Sequence, residues 1–287
     1  MLVYDGIKTE FLKSVEQDTI ASEIEERIYQ KMNRHTVRNE FRSWENSMQY
    51  MYKVLNDKDI PEDAGIAIEY NIPQTSKRVD FLISGYDKDS KENVVIIELK
   101  QWDKIEAIDG KDALVETYTG NAIRQVVHPS YQAWSYAALI KDYNQSVQEK
   151  RILLNPCAYL HNYRRIKDDP LDKEQYNIYQ EDAPAFTRGQ VEKLRTFIKK
   201  CVKKGDNKEI LYDVEHGKIK PSKSLQDAIA KMIKGNQEFV MLDEQKVVYE
   251  NILTASRKCM DDCEKKSYYC TRRSGNRKDR SCNQPFG

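Results

Sequence analysis

Two apolar runs within residues 77–102 constrain the fold more than any other feature of the chain. They flank a polar, turn-rich connector, which predicts a β-hairpin. The second run, residues 94–99, is apolar on both faces, as expected of a strand buried inside a sheet. This strand ends with Glu98 and Lys100 two residues apart, and therefore on the same face. Asp80 lies in the preceding strand, near enough to share that face.

Two carboxylates and a lysine at the end of a buried strand are costly unless a metal ion or a substrate compensates for their burial. The arrangement therefore indicates a candidate metal-dependent site that cleaves phosphodiester bonds. The alternative is a satisfied ion pair between Glu98 and Lys100 beside Asp80.

The composition limits where a polyanion can bind. The 287 residues suit one large domain or two small ones, and 47 basic residues balance 46 acidic ones. Because this balance gives no global basic field, any affinity for nucleic acid must come from local patches. No apolar run approaches the length of a membrane span, and the N-terminus lacks the pattern of a signal peptide. We therefore predict a cytoplasmic protein with no membrane partner.

Helical spacing of apolar residues predicts a helix over residues 21–33, with Ser22 as its N-cap. A second helix is predicted over residues 39–55, with Glu40 at its beginning. Glu40 has two interpretations: a first-turn acid favoured by the helix dipole, or a member of the metal site. A strand beginning at Ile66 is predicted to run antiparallel to the strand that holds Asp80.

The middle of the chain predicts one more helix and one more strand. Residues 103–120 are charged and weakly periodic, which suggests a long surface loop. A helix then begins at His128, with Pro129 in its first turn, and places Gln132 and Tyr136 on one face. Residues 151–160 predict a further buried strand. This order of elements indicates an α/β core with a mixed sheet.

The region after residue 165 is predicted to differ in character. Helices are predicted near residues 188–202, 222–233 and 243–257. The predicted organisation has four parts: a domain over 1–165, a mostly helical connector over 166–240, a further helix-led segment over 241–266, and a tail over 267–287.

Cysteines are unevenly distributed along the chain. Cys157 and Cys201 stand singly in apolar contexts and are predicted to be core residues. Four more crowd the C-terminal end: Cys259, Cys263, Cys270 and Cys282. These invite a zinc interpretation, but their irregular spacing and the lack of a C-x₂-C pair argue against it.

One ordered set of residues resembles the active-site motif of the PD-(D/E)XK nucleases, including the Q-x-x-x-Y element of the RecB-like members. The set comprises Glu40 on a helix, Asp80 on a strand, Glu98-Leu99-Lys100 on the next strand, and Gln132 with Tyr136 on a later helix. Val79 stands where the family often has proline. The resemblance implies a restriction-endonuclease-like core, a mixed central sheet flanked by helices, followed by a mainly helical C-terminal segment.

The same resemblance implies the chemistry of the site. Asp80 and Glu98 would be hard oxygen ligands for Mg²⁺ or Mn²⁺. Lys100 would orient the attacking water or neutralise charge developing on the phosphate. Gln132 and Tyr136 would position the phosphate backbone of DNA or RNA, and Glu40 would accompany them.

A second resemblance covers nearly the whole chain. It is carried by E-F-R-S-W, K-R-V-D-F, I-I-E-L-K-Q-W, H-P-S-Y-Q-A, Y-L-H-N, P-S-K-S-L and F-V-M-L-D-E-Q-K-V-V-Y. These phrases are similar to the N-terminal portion of Schlafen group 3-like DNA/RNA helicases, in which a nuclease-like region precedes a P-loop motor. Gln245 would then correspond to the glutamine that reads adenine; the alternative is an ordinary exposed helix residue.

That resemblance predicts a Walker A loop, G-x-x-x-x-G-K-[ST], directly after Lys266. The chain instead has a basic, cysteine-containing stretch with no core pattern. A frame displaced by one base can be written to encode the expected loop, so we predict that residues 267–287 are a frameshifted, disordered tail. No ATP site is complete in this chain, and no ATPase activity is expected. The rival interpretations are a non-catalytic module that binds nucleic acid or a partner, and a nonfunctional truncated product.

Overall fold

The computed structural model describes residues 1–222, 226 and 240–261. The strands of this part of the chain are β1 (Leu2–Ile7), β2 (Gly65–Asn71), β3 (Arg78–Tyr86), β4 (Glu92–Lys100), β5 (Glu106–Ala107), β6 (Leu114–Thr119), β7 (Ala122–Val127), β8 (Leu153–Leu160) and β9 (Ala185–Thr187). Its helices are α1 (Lys8–Glu16), α2 (Ile20–Met32), α3 (Arg38–Leu55), α4 (Pro129–Tyr143), α5 (Gln145–Lys150), α6 (Asn177–Asp182), α7 (Val191–Cys201), α8 (Glu209–His216) and α9 (Asp243–Asp261). Two short 3₁₀ helices, Pro170–Asp172 and Glu174–Tyr176, precede α6.

Six of the described strands form the central sheet, in the order β1-β2-β3-β4-β8-β9. The pairs from β1 to β4 are antiparallel, whereas β8 pairs in parallel with both β4 and β9. The predicted α/β class with a mixed central sheet flanked by helices is therefore confirmed. β9 belongs to the stretch predicted as a mostly helical connector.

Apolar residues cover both faces of the central sheet, which explains why β4 lacks the alternation of a half-exposed strand. On one face, Phe81 and Ile97 pack with helices α1, α2, α3 and α7. On the other face, Leu82 and Ile96 pack with α4, α5 and α8. The end of β4 is thus enclosed on both sides, so the charged residues that follow Ile97 emerge from a buried layer.

Successive side chains of β2 and β3 alternate between the two faces of the central sheet. This alternation breaks at two residues that lie opposite one another, Glu69 in β2 and Asp80 in β3. Ile68 pairs with Phe81, and both belong to the cluster on the α3 face. Tyr70 pairs with Val79, and both belong to the cluster on the α4 face. Glu69 has a φ of 60°, a conformation that residues other than glycine rarely adopt.

Several element predictions are confirmed, and two are wrong. The structure contains the predicted hairpin, the helices beginning near residues 39 and 128, and the strand ending at Leu160. Residues 103–120 are not a long surface loop, because β5 and β6 pair antiparallel and β6 pairs with β7 in a small sheet. Its buried Val115 packs against Ala158 of the central sheet, which anchors a stretch too charged to look apolar.

The second wrong prediction concerns Ser22. Helix α2 begins at Ile20, so the N-cap position belongs to Thr19, whose hydroxyl donates to Glu23 Oε1 at 2.6 Å. Cys157 and Cys201 are buried free cysteines, as predicted. The predicted helix near residues 222–233, the tail over 267–287 and three cysteines of the zinc interpretation lie outside the described residues: Cys263, Cys270 and Cys282. No helix in the described ranges is both long enough and apolar enough to cross a bilayer.

Candidate active site

The register of β3 and β4 brings the first two predicted site residues together. Pairing runs from Tyr86–Glu92 to Phe81–Ile97, so Asp80 and Glu98 are the next residues on each strand. Asp80 Oδ2 accepts a hydrogen bond from the backbone N–H of Leu99 at 2.8 Å. This bond fixes one carboxylate at the point where the two strands part.

Glu98 and Lys100 form a close ion pair, with 2.6 Å between Lys100 Nζ and Glu98 Oε1. The side chain of Glu98 is only 3% exposed. Burial, together with the negative charge of Asp80, raises the pKa of Glu98 well above its ordinary value, and Lys100 opposes this rise. Burial would lower the pKa of Lys100, but the charges of Glu98 and Asp80 outweigh it and raise the pKa. The ionised form of Glu98 is therefore disfavoured at this site despite its pairing with Lys100.

The second oxygen of Glu98 is a polar atom of the site that remains unsatisfied. Glu98 Oε2 is buried and has no hydrogen-bond partner in the described part of the chain. A buried carboxylate oxygen without a partner costs about 1–3 kcal/mol or more. A cation bound beside Asp80 would relieve this cost.

Gln132 and Tyr136 lie together on the inner side of α4. Gln132 Nε2 donates to the Tyr136 hydroxyl at 3.0 Å, and Tyr136 itself is buried. Burial and the nearby charges of Glu98 and Asp243 raise the pKa of Tyr136. The i, i+4 spacing read from the sequence thus brings both side chains to the same end of the sheet as Glu98.

A residue that the sequence did not suggest, Asp243, completes this group. Asp243 Oδ2 accepts from the Tyr136 hydroxyl at 2.7 Å and is paired with Lys77 Nζ at 2.7 Å. Lys77 also contacts Glu244. Asp243 is the first residue of α9, and Lys77 directly precedes the first residue of β3. The starts of these two elements therefore meet at the site.

Glu40 lies in a separate cluster held by arginine. Its carboxylate accepts from Arg78 at 2.7 Å and from Arg34 at 3.0 Å. Burial would raise the pKa of Glu40, but these two guanidinium groups lower it. Arg78 also pairs with Glu69 of β2, so Arg78 connects Glu40 to the central sheet.

Glu69, which faces this cluster, is also a residue that the sequence analysis did not assign to the site. Its Oε1 accepts from Trp44 Nε1 at 2.7 Å, and its side chain is buried. Burial is the main cause that raises the pKa of Glu69 to about 7, with Arg78 opposing it and Asp80 adding to it. The signal in the sequence was an acid inside an apolar strand; no sequence signal marks Asp243, which reaches Tyr136 across 107 residues of chain.

A cleft of about 490 Å³ opens beside these residues. Lys100, Trp102 and Gln132 lie along one part of it, with the amine of Lys100 5.5 Å from the centre of the Trp102 ring. Residues of β7 and the start of α9 form its other walls, including Arg124 and Asp243. Lys100, the ion-pair partner of Glu98, therefore lines a space that a substrate can enter, whereas Asp80 and Glu98 are not among the residues that line it.

In the described ranges, no group of three histidine, cysteine, aspartate or glutamate side chains is arranged to hold a metal ion. The two carboxylates that the sequence analysis assigned to a metal ion are Asp80 and Glu98. Two carboxylates suit Mg²⁺, which keeps several of its waters and uses one or two protein ligands.

Gln245 is exposed, and its side-chain oxygen accepts from the backbone N–H of Leu242 at 3.1 Å, so it caps the start of α9. Searches with protein-family models, against curated proteins and against solved structures found no match for this chain. The site geometry alone therefore carries the functional argument.

Proposed function

We propose that this chain is a Mg²⁺- or Mn²⁺-dependent nuclease of the PD-(D/E)XK type, which hydrolyses phosphodiester bonds of DNA or RNA. The observation that supports it is the meeting of Asp80, Glu98 and Lys100 at the end of a buried strand, beside a cleft. Such a concentration of charge in an apolar layer is costly for folding and is typical of functional sites.

The residues present fit a divalent cation. Glu98 Oε2 is buried and unpartnered, and the pKa of Glu98 is raised by burial and by Asp80. Both features mean that the protein alone stabilises the ionised form of Glu98 poorly. A hard cation held by Asp80 and Glu98 would supply that stabilisation, polarise a phosphoryl oxygen and activate a water.

The other side chains have roles that follow from their positions. Lys100 remains a cation at neutral pH and lines the cleft, so it can neutralise charge on the phosphate in the transition state. Gln132 also lines the cleft and donates a hydrogen bond to Tyr136, which fixes its amide. A fixed amide orients a bound phosphate at less entropic cost than a free one.

A cleavage assay tests this proposal. The protein is incubated with single- and double-stranded DNA and RNA, with Mg²⁺, with Mn²⁺ and with a chelator. We expect cation-dependent cleavage that falls about a hundredfold or more in Asp80→Asn and Lys100→Met. Asp103→Asn, at an exposed acid near the site, is the control and should cleave like the wild type. Equal cleavage by all four proteins would show that the activity arises elsewhere.

A non-catalytic module that binds nucleic acid or a partner is the second candidate. The 2.6 Å ion pair between Lys100 and Glu98 favours it, because this pair neutralises one carboxylate without a metal. Binding of the same substrates without cleavage in any cation would support this candidate over the nuclease.

The proposed biological setting is a helicase-related protein, with this chain corresponding to the part that precedes the motor. A nonfunctional truncated product is the remaining alternative. The sequence contains no G-x-x-x-x-G-K-[ST] loop, so the purified polypeptide should not hydrolyse ATP. Nucleic-acid-stimulated ATP hydrolysis would contradict this part of the proposal.

A further inference from the structure

We infer that Asp243 is a positioning residue of the proposed nuclease site, so that helix α9 is part of the active unit and not an accessory segment. This inference rests on the proposed function. It adds to the site a carboxylate from a segment 107 residues beyond Tyr136.

The contacts of Asp243 are directed into the site. One oxygen accepts from the Tyr136 hydroxyl and faces Lys77, each at 2.7 Å. The other oxygen, Oδ1, is buried and has no hydrogen-bond partner in the described residues. Asp243 is the first helical residue of α9, where the helix dipole favours an acid. Gln245 accepts from the backbone N–H of the preceding residue, Leu242, and Asp243 itself contacts Tyr136 and Lys77.

Asp243 is linked through Tyr136 to Gln132, which lines the cleft. The side-chain amide of Gln132 donates a hydrogen bond to the Tyr136 hydroxyl, which in turn donates one to Asp243. Gln132, Lys100 and Asp243 all line the same cleft. A network of this kind holds its members in one geometry, because the loss of one bond frees the next group.

The backbone at Asp243 also has an unusual conformation. Its φ is 30°, a positive value that aspartate rarely adopts. Just before it, the carbonyl of Met241 accepts from the Tyr131 hydroxyl at 2.6 Å. Conformations of this kind persist where the surrounding structure holds them, and they occur often at functional sites.

Lys77 is paired with two neighbouring acids at the start of α9. Its side chain is 13% exposed and is held by Asp243 and by Glu244. Glu244 is 83% exposed and pairs with Lys77, whereas the Tyr136 hydroxyl donates to Asp243. The two acids therefore share a lysine but differ in their connection to the site, which provides a matched control.

The test measures kcat and KM for cleavage in six proteins: wild type, Asp243→Ala, Asp243→Asn, Tyr136→Phe, the double variant Asp243→Ala/Tyr136→Phe, and Glu244→Gln. If Asp243 acts through Tyr136, each single variant lowers kcat about tenfold and the double variant loses little more. Asp243→Asn, which keeps an acceptor for the Tyr136 hydroxyl, should recover part of the rate. Glu244→Gln should cleave like the wild type.

Several outcomes would overturn the inference. Additive losses in the double variant would show that Asp243 and Tyr136 act independently, and an unchanged kcat in Asp243→Ala would show that α9 is not part of the active unit. A loss in Glu244→Gln equal to that in Asp243→Ala would assign the effect to Lys77 alone. Absence of cleavage by the wild type would instead overturn the proposed function, and this inference with it.

Discussion

Glu98 is the residue at which the folding cost of the site is concentrated. Its carboxylate is buried among apolar groups, has one lysine as its partner, and leaves one oxygen unpaired. A buried carboxylate in this state lowers the stability of the fold, and a functional role would account for its presence. The Glu98–Lys100 pair therefore provides a direct stability test.

Lys100→Met should lower the free energy of unfolding by about 3 kcal/mol at neutral pH, because it leaves the Glu98 carboxylate buried without a cation. The measurement is urea denaturation in the presence of a chelator. The double variant Glu98→Gln/Lys100→Met removes both charges and should be close to the wild type. A Lys100→Met protein as stable as the wild type would show that this ion pair contributes nothing.

His161 predicts how stability depends on pH. It is fully buried, with its ring stacked on Tyr50 and its Nε2 3.1 Å from Ser47 Oγ. Burial lowers the pKa of His161 to about 4, below the ordinary value of 6.5. Between pH 6.5 and 4 the unfolded chain binds a proton that the folded chain does not, so stability falls as the pH falls.

The decrease in the free energy of unfolding caused by His161 should reach about 3 kcal/mol at pH 4. Denaturation curves at pH 7, 5.5 and 4.5 should show a smaller decline for His161→Gln than for the wild type. Parallel declines in the two proteins would exclude His161 as the source.

At the scale of elements, Asp206 connects α8 to the central sheet. Its carboxylate accepts from Gly65 N at 3.0 Å, from Ser84 Oγ at 2.7 Å and from Ile210 N at 3.0 Å. Asp206→Ala would leave all three buried donors without an acceptor, which should cost about 3 kcal/mol or more. Ser84→Ala removes only one donor and should cost about 1 kcal/mol. Equal costs in urea denaturation would contradict this role for Asp206.

The sequence predicted the elements that make the site, because each has a strong local pattern. β4 is a continuous apolar run, and Pro129 lies in the first turn of α4, as predicted, with His128 at the N-cap. Glu98 and Lys100 were therefore found from their spacing on one strand, whereas Gln132 and Tyr136, four apart on one helix face, were assigned to the site by the family resemblance. Whether they bind metal or nucleic acid stays a prediction.

What the sequence did not predict depends on contacts between distant segments. β5 and β6 lie in a charged stretch of sequence, and their buried residues, Val115 among them, pack in a cluster that includes Ala158 of the central sheet. Asp243 reaches the site because α9 docks there, and Glu69 because its backbone turns it toward Trp44. None of these contacts leaves a periodic trace in the sequence.

At the scale of the whole molecule, α9 docks through a buried lysine. Lys246 Nζ is 2.7 Å from Asp112 Oδ2 and 3.0 Å from Glu250 Oε1. Lys246→Met would leave buried negative charge unpaired and loosen α9, so its amides should exchange hydrogen faster. The exposed Lys258, in the last turn of α9, gives the control variant Lys258→Met. Unchanged exchange in α9 of the Lys246→Met protein would show that this lysine does not hold the helix.

The central claim is that Asp80 and Glu98 together hold one divalent cation. A calorimetric titration with Mn²⁺ tests it most directly, because it needs neither a substrate nor turnover. The account predicts about one bound ion per wild-type chain, and loss of that binding in both Asp80→Asn and Glu98→Gln, with Asp103→Asn unchanged. A wild-type protein that binds no Mn²⁺, or variants that bind it as tightly as the wild type, would contradict the claim.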